Sequence, residues 1–311
     1  MSTVVLGCGT VGRSVTEQLA ALGEPVRVIQ RSPPDSLPEG VEFAPADAVG
    51  GTGLAEAMGA AHTLVCTVGL PYSGKVFRRD WPRLARNCLD ACARTGARFL
   101  LADNLYMYGP QTTPLTEDMP LARDGDKPSA RAEVTRLWQE AHAAGQVMSC
   151  AVRASDFYGP GAQSSMLVAQ GINRLLAGKP ARMAFPVDHA HDYTYVPDFA
   201  CAIIQLLDAP EGDWGQAWHV PNAPTRTTRE LLAKAAEIAG VPLRVTVMPD
   251  MLRRLLGVFI PILSELEEMR FQWDLPYQVD SSKFLQRFGG TATPFEEGLA
   301  TVIAVHRHSA S

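Results

Sequence analysis

The stretch Gly7-Cys8-Gly9-Thr10-Val11-Gly12 has the residue types and spacing to hold a phosphate. In a strand–loop–helix turn the first glycine permits the tight turn and the second lets backbone approach a pyrophosphate. The third lets helix and strand pack closely, with the helix N-terminus facing the anion. The residue ending the next strand selects the nucleotide: an acid bonds a ribose 2′-hydroxyl, whereas an arginine accommodates a 2′-phosphate. Here that stretch reads Ile29-Gln30-Arg31-Ser32, without an acid. Arg31 offers a planar fork, Ser32 a hydroxyl, and Arg13, just past the third glycine, a second charge. The expected cofactor is NADP(H), held by Gly7, Gly9, Thr10, Val11, Gly12, Arg13, Arg31 and Ser32, with Asp47, Thr67 and Arg153 completing the candidate set. The competing reading of the two arginines is solvated surface charge.

Such a loop needs a strand before it and a helix after it, and the chain supplies both. Thr3–Leu6 is a short apolar run, and residues 10–23 carry apolar positions at helical spacing up to Gly23. Further strand-like runs at 25–31, 61–69, 97–103 and 147–155 alternate with helical patterns at 81–96 and 130–145. Strands apolar on both faces that alternate with helices predict an α/β fold, a Rossmann-type doubly wound parallel sheet. Beyond 156 proline and glycine become frequent, with a helix at 197–210, a strand at 216–221 and a Thr-capped helix at 227–240. This half reads as a smaller substrate-binding portion.

The 311 residues carry a net charge of −5, with 46% hydrophobic and 20% charged residues, and no basic run. That balance argues against a nucleic-acid partner and for small-molecule work. No basic, long-apolar leader pattern opens the chain, so a cytoplasmic location is expected. Leu255–Leu263, interrupted by Gly257 and Pro261, is too short to span a membrane and is expected as a core or interface segment. Six scattered cysteines suit buried reduced thiols; Cys88 and Cys92 share a helix face but lack partners for a metal.

Several motifs in one order resemble the extended and atypical short-chain dehydrogenases/reductases, the group containing sugar-nucleotide epimerases and dehydratases. They are the N-terminal glycine loop, "LADNLYMYGP" (101–110), "RASDFYGPG" (153–161) and "HDYTYVPDFACAI" (191–203), together covering roughly residues 3–240. The resemblance implies an NADP-binding Rossmann domain of 1–155 plus about 190–220. Residues 156–189 and 221–311 then form the substrate-binding portion.

The departures from the family bear on chemistry. The family's first glycine stands one place earlier, at Leu6. Its Tyr-x-x-x-Lys pair, in which lysine lowers the tyrosine pKa so that a phenolate serves as general base, is missing from residues 125–140, which hold no tyrosine. By alignment Asn104 takes the place of the family serine, Lys127 or Ser129 that of the tyrosine, and Arg131 that of the lysine.

Three readings follow. In the first the protein is an NADP(H)-dependent oxidoreductase of a small or apolar carbonyl compound with a relocated proton donor. Tyr106, two residues past Asn104 and expected on the same strand face, is then the first candidate, with Tyr158 and Asp156 as substrate-side alternatives. In the second the pocket catalyses a non-redox isomerisation, elimination or cyclisation, and His189, His191 and Asp192 come forward. His191 aligns near a family arginine that contacts substrate. In the third the chain is a catalytically degenerate NADP-binding regulatory protein.

Met166, Met183, Phe185 and Trp273 are pocket-lining or core positions. A homodimer through the helices at 81–96 and 130–145 would use Leu84, Leu89, Val134 and Trp138, residues that would equally cover the sheet.

Overall fold

β1 (Thr3–Leu6), buried along its whole length, lies within a seven-stranded sheet of a computed structural model that describes residues 2–310. The sheet runs β11 (Ala217–His219), β6 (Ser149–Arg153), β5 (Arg98–Asp103), β4 (Thr63–Cys66), β1, β2 (Val26–Gln30), β3 (Glu42–Pro45). Every pairing from β3 across to β6 is parallel. Parallel strands need crossovers, and α1 (Thr10–Ala21), α2 (Leu54–Met58), α3 (Gly74–Thr95) and α4 (Asp126–Ala143) provide them, with α6 (Val196–Leu207) preceding β11. The result is the doubly wound Rossmann architecture that the alternation predicts. Apart from the first three residues of α6 and the last of β11, these elements fall in one compact unit, Met1–Gly109, Pro120–Ala154 and Phe199–Trp218.

Leu84, Leu89, Val134 and Trp138 belong to the core of this unit together with Leu64, Phe99 and Ala151. They cover the sheet, and the solvent side of α3 and α4 carries the ion pairs Arg78–Asp126 and Arg86–Glu133. α3 starts at Gly74, seven residues before the expected Trp81, and holds Pro82 in its interior. Phe77 and Trp81, one turn apart and both buried, draw the extra turns onto the core. β3 escaped the sequence reading because an edge strand, with its ends exposed, has no apolar run to betray it.

A local surprise lies after β5. The strand ends at Asp103, and Tyr106 opens a short 3-10 turn, Tyr106–Tyr108. Asn104 and Tyr106 therefore do not alternate along a strand. Asp103 Oδ1 accepts the Asn104 N–H at 2.8 Å and Asn104 Oδ1 accepts the Tyr106 N–H at 3.0 Å, which closes the backbone into the turn.

The second unit comprises Pro110–Met119, Ser155–Asp198 and His219–Ser311, so the return to the Rossmann unit falls at Phe199 and not near 190. Its short strands pair as β7 (Asp156–Tyr158) with β10 (Tyr193–Tyr195), β8 (Ala181–Met183) with β13 (Val245–Val247), and β9 (Ala190–His191) with β12 (Arg226–Thr227). α5 (Asn173–Leu176) follows a π-type turn. α7 (Thr228–Ala239) opens on a Thr227–Glu230 capping box, and α12 (Phe295–Ala310) packs on α7.

α8 (Asp250–Gly257) and α9 (Pro261–Glu267) form a hairpin, followed by α10 (Phe271–Asp274) and α11 (Ser282–Phe288). Leu255–Leu263, expected in a core, is instead largely on the surface: Leu255 is 60% exposed and Val258 and Phe259 77% each. The residue this hairpin buries is Arg253, tied to Asp250 and Glu267, so ions and not apolar side chains anchor it. Among the described residues no helix is long and apolar enough to cross a membrane.

Candidate functional site

Gly12 is where sterics commit the loop after β1. A Cβ there would stand 2.0 Å from the Gly7 carbonyl oxygen and 2.4 Å from Thr67 Oγ1. Gly7 adopts φ +91°, a left-handed value that favours glycine. Gly9 caps α1, and a Cβ on it would meet nothing within 4 Å. The N-terminus of α1 has no side-chain cap, and it opens at Thr10 directly after this loop, where an anion can be brought close to backbone. The loop thus fits a dinucleotide pyrophosphate.

Thr67, expected at the cofactor, is tied to the glycine loop. Its hydroxyl donates to the Gly7 carbonyl at 2.7 Å, so it braces the loop from β4. Gln30 occupies the position that would carry the ribose-binding acid, and its amide bridges two loops. Oε1 accepts the Cys8 N–H at 2.9 Å and Nε2 donates to the Ser32 carbonyl at 2.8 Å. Arg31 and Ser32 lie exposed beside it. Arg13 reaches the same loop, donating to the Ser36 carbonyl at 3.2 Å. Two guanidiniums and a neutral amide therefore share the end of β2. Asp47 shapes its own turn, its Oδ1 accepting the Val49 N–H at 3.1 Å.

Arg153, expected at the cofactor, is enclosed instead. It donates to Tyr108 Oη at 2.5 Å and Thr135 Oγ1 at 2.9 Å, and its Nε stands 3.6 Å from Asp103 Oδ2. Arg131 pairs with the other Asp103 oxygen, and its guanidinium lies 3.8 Å from the Trp81 ring centre. One carboxylate thus serves two buried arginines. An arginine in such a cluster keeps its charge and cannot shuttle a proton.

Lys127 precedes Arg131 by one helical turn and shares its face of α4. It is 1% exposed, with Nζ 4.9 Å from the Tyr72 ring centre. Tyr72, on the loop between β4 and α3, packs edge-on to Phe77 at 5.8 Å and Tyr106 at 6.4 Å. The loops after β1, β4 and β5 leave the same carboxyl edge of the sheet, where such folds hold their ligands.

Within the second unit His191 and Asp156 come together. His191 Nε2 is 3.0 Å from Asp156 Oδ2, and Nδ1 is 3.1 Å from the Gln272 carbonyl oxygen. The imidazole is buried among Tyr193, Tyr277 and Trp273, whereas the Asp156 side chain is 27% exposed. Asp192 turns away: its Oδ2 accepts the Val279 N–H at 2.7 Å, and burial raises its carboxyl above the usual range. His189 is exposed. Met183, Phe185 and Trp273 are all buried, and Phe185 and Trp273 stack on each other at 4.5 Å.

Tyr158, expected on the substrate side, is enclosed in the second unit. It is 1% exposed, wedged between Tyr195 and Phe295, and burial drives its hydroxyl far above the usual phenol range. Tyr-Gly-Pro-Gly after a strand looked like a binding turn, yet the phenol faces α12, which the sequence reading did not include.

Sequence reasoning also missed Tyr72, Asp103 and the tethering role of Gln30. Asp103 had a signal, a carboxylate ending an otherwise apolar strand. Tyr72 had another, a Pro-Tyr pair in the loop after a strand of the nucleotide-binding edge.

The family model for the NAD dependent epimerase/dehydratase family matches residues 3–220, and the chain belongs to that family. Solved structures agree on the fold. MoeE5 in complex with UDP-glucose and NAD is 21% identical, with a TM-score of 0.82 and both chains fully covered. The UDP-glucose 4-epimerase of Thermus thermophilus, in complex with NAD, is 21% identical at a TM-score of 0.78, covering 99% of each chain. The UDP-glucuronic acid 4-epimerase from Bacillus cereus, with UDP-glucuronic acid and NAD, is 14% identical at 0.83, covering 99% of this chain and all of that one. No curated protein matches the sequence.

Proposed function

We propose that the chain is an NADP(H)-dependent oxidoreductase that acts on a small or apolar carbonyl or hydroxyl compound. The end of β2 carries this reading. Gln30 puts a neutral amide where an acid would repel a 2′-phosphate, and Arg31 stands exposed beside the loop that Arg13 also reaches. Gly7, Gly9 and Gly12 give the pyrophosphate its approach, and Thr10 and Val11 give it the amides of α1. When bound, the nicotinamide supplies or accepts a hydride.

The protein's own residues would do the rest. Asn104 and Tyr106 shape the turn at the end of β5, Arg131 holds Asp103, and Lys127 places its buried amine at the same edge. A compound without a diphosphate is favoured by the ion pairs that take up three arginines of the second unit. Arg229 is paired with Asp188, Arg253 with Asp250 and Glu267, and Arg270 with Glu267 and Asp274. His191 is taken by Asp156.

Titrating the protein with NADPH and NADH by tryptophan fluorescence tests this. Tight NADPH binding that weakens about tenfold or more in Arg31→Ala, some 1.4 kcal/mol, is expected. Equal affinity for the two dinucleotides, unmoved by the substitution, would remove the NADP(H) preference.

The His191–Asp156 pair supports a second reading, a non-redox isomerase, lyase or cyclase. A histidine held at both nitrogens next to a partly exposed carboxylate is an arrangement suited to acid–base chemistry. Substrate turnover without any change in nicotinamide absorbance at 340 nm would favour it.

A further inference from the structure

We infer that Tyr72 and Lys127 form the acid–base pair of this chain, with the Tyr72 hydroxyl as the group that exchanges a proton with substrate oxygen. The inference rests on the redox reading above and names the catalytic residue that reading lacks.

The argument starts from what surrounds Lys127. Its side chain is buried at the head of α4, and its Nζ lies 4.9 Å from the Tyr72 ring centre, so an ammonium and a phenol are held face to face. A cation placed on a phenol favours the phenolate by Coulomb attraction, most strongly where water is excluded. Phe77 and Tyr106 pack edge-on against the Tyr72 ring.

The other groups on the surrounding elements do not compete for this role. Asp126, next to Lys127, is taken by Arg78, and Arg131 is taken by Asp103. Tyr106 is stacked on Phe77, and its backbone closes the turn with Asn104. The loop holding Tyr72 leaves β4 beside Thr67, whose hydroxyl bonds the glycine loop. The phenol thus belongs to the same strand edge as the nucleotide cradle.

In the reducing direction the carbonyl carbon would accept a hydride from the reduced nicotinamide while the C=O π pair moves to oxygen. That oxygen takes the Tyr72 proton as the phenolic O–H bond breaks. Lys127 neutralises the phenolate, and water returns the proton.

The test needs neither substrate nor cofactor. Tyrosinate formation is followed at 295 nm from neutral to alkaline pH in the whole protein, which has seven tyrosines. Burial pushes Tyr158, Tyr193 and Tyr195 upward, which clears the lower part of the titration.

One tyrosine's worth of absorbance is expected about one pH unit or more below the rest. It should vanish in Tyr72→Phe, survive in Tyr106→Phe, move up by about a unit or more in Lys127→Met and return in Lys127→Arg. An early component that survives Tyr72→Phe, or no early component at all, overturns the pair.

NADPH titration of the same proteins keeps the two claims apart. Loss of the early phenol assignment in a protein that binds NADPH removes the pair and leaves the redox reading. An early Tyr72 in a protein that binds neither dinucleotide leaves the pair and removes the redox role.

Discussion

His191 and Asp156 face each other at 3.0 Å, with the second imidazole nitrogen 3.1 Å from the Gln272 carbonyl. Both partners of the ring are acceptors, so both contacts are made only when the pair holds a proton on each nitrogen side. Asn at position 156 can donate its amide to a neutral imidazole, whereas Ala leaves Nε2 buried without a partner. Asp156→Asn should therefore stay within about 0.5 kcal/mol of wild type and Asp156→Ala should lose about 1–3 kcal/mol, measured by urea unfolding. Equal losses in both would show that the pair does not depend on this hydrogen bond.

The glycine loop separates folding from binding. Gly12→Ala drives a Cβ to 2.0 Å from the Gly7 carbonyl, so it should cost about 1–3 kcal/mol of stability as well as NADPH affinity. Gly9→Ala meets no protein atom within 4 Å and should unfold like wild type. Its new methyl would stand where the pyrophosphate approaches, so its NADPH affinity should fall about tenfold or more. Thermal melts paired with fluorescence titrations separate the two effects, and a Gly9→Ala protein with unchanged affinity would remove the pyrophosphate from this loop.

The cluster at the end of β5 sets a third expectation. Asp103 is the counter-ion of Arg131 and lies 3.6 Å from the Arg153 Nε, and all three side chains are buried. Removing the carboxylate strands two guanidiniums, so Asp103→Ala should lose about 3–5 kcal/mol in urea unfolding. Replacing Arg131 by Met leaves Asp103 beside Arg153 and should cost less. A milder effect for Asp103→Ala than for Arg131→Met would contradict this arrangement.

The residues legible in the sequence are those whose role is local. Gly7, Gly9 and Gly12 declare a turn by type and spacing, and β1, β2, β4, β5 and β6 declare themselves by runs apolar on both faces. Residues whose role depends on a distant partner were not legible. Tyr158 looks like a binding residue until Gly298 of α12, which follows it by 140 residues of chain, is seen beneath its hydroxyl. Arg153 looks like a cofactor contact until Tyr108, Thr135 and Asp103 enclose it. The α8–α9 hairpin has the apolar composition of a core segment, and only its buried Arg253 and the surrounding carboxylates reveal why it sits at the surface.

Tyr158 gives the last prediction. Its hydroxyl is buried without a hydrogen-bond partner among the described residues, and burial raises its phenol above the ordinary value of about 10. Tyr158→Phe removes an unsatisfied hydroxyl and should stabilise the protein by about 1 kcal/mol at neutral pH. The pH dependence has a definite sign. Because the folded phenol binds its proton more tightly than the unfolded one, its contribution is complete below about pH 10 and is lost as pH rises beyond it, by about 1.4 kcal/mol per unit. The advantage of Tyr158→Phe over wild type should therefore widen above pH 10 and stay constant below it. Gly298→Ala acts in the opposite direction, since its Cβ would stand 2.5 Å from the Tyr158 hydroxyl oxygen and 2.9 Å from the nearest ring carbon. Combining the two substitutions should recover only part of that loss, because the ring carbons still crowd the methyl. Urea unfolding of the four proteins at pH 8 and above pH 10 checks both claims, and a pH-independent gap between Tyr158→Phe and wild type would mean that this phenol ionises as freely in the folded protein as in the unfolded chain.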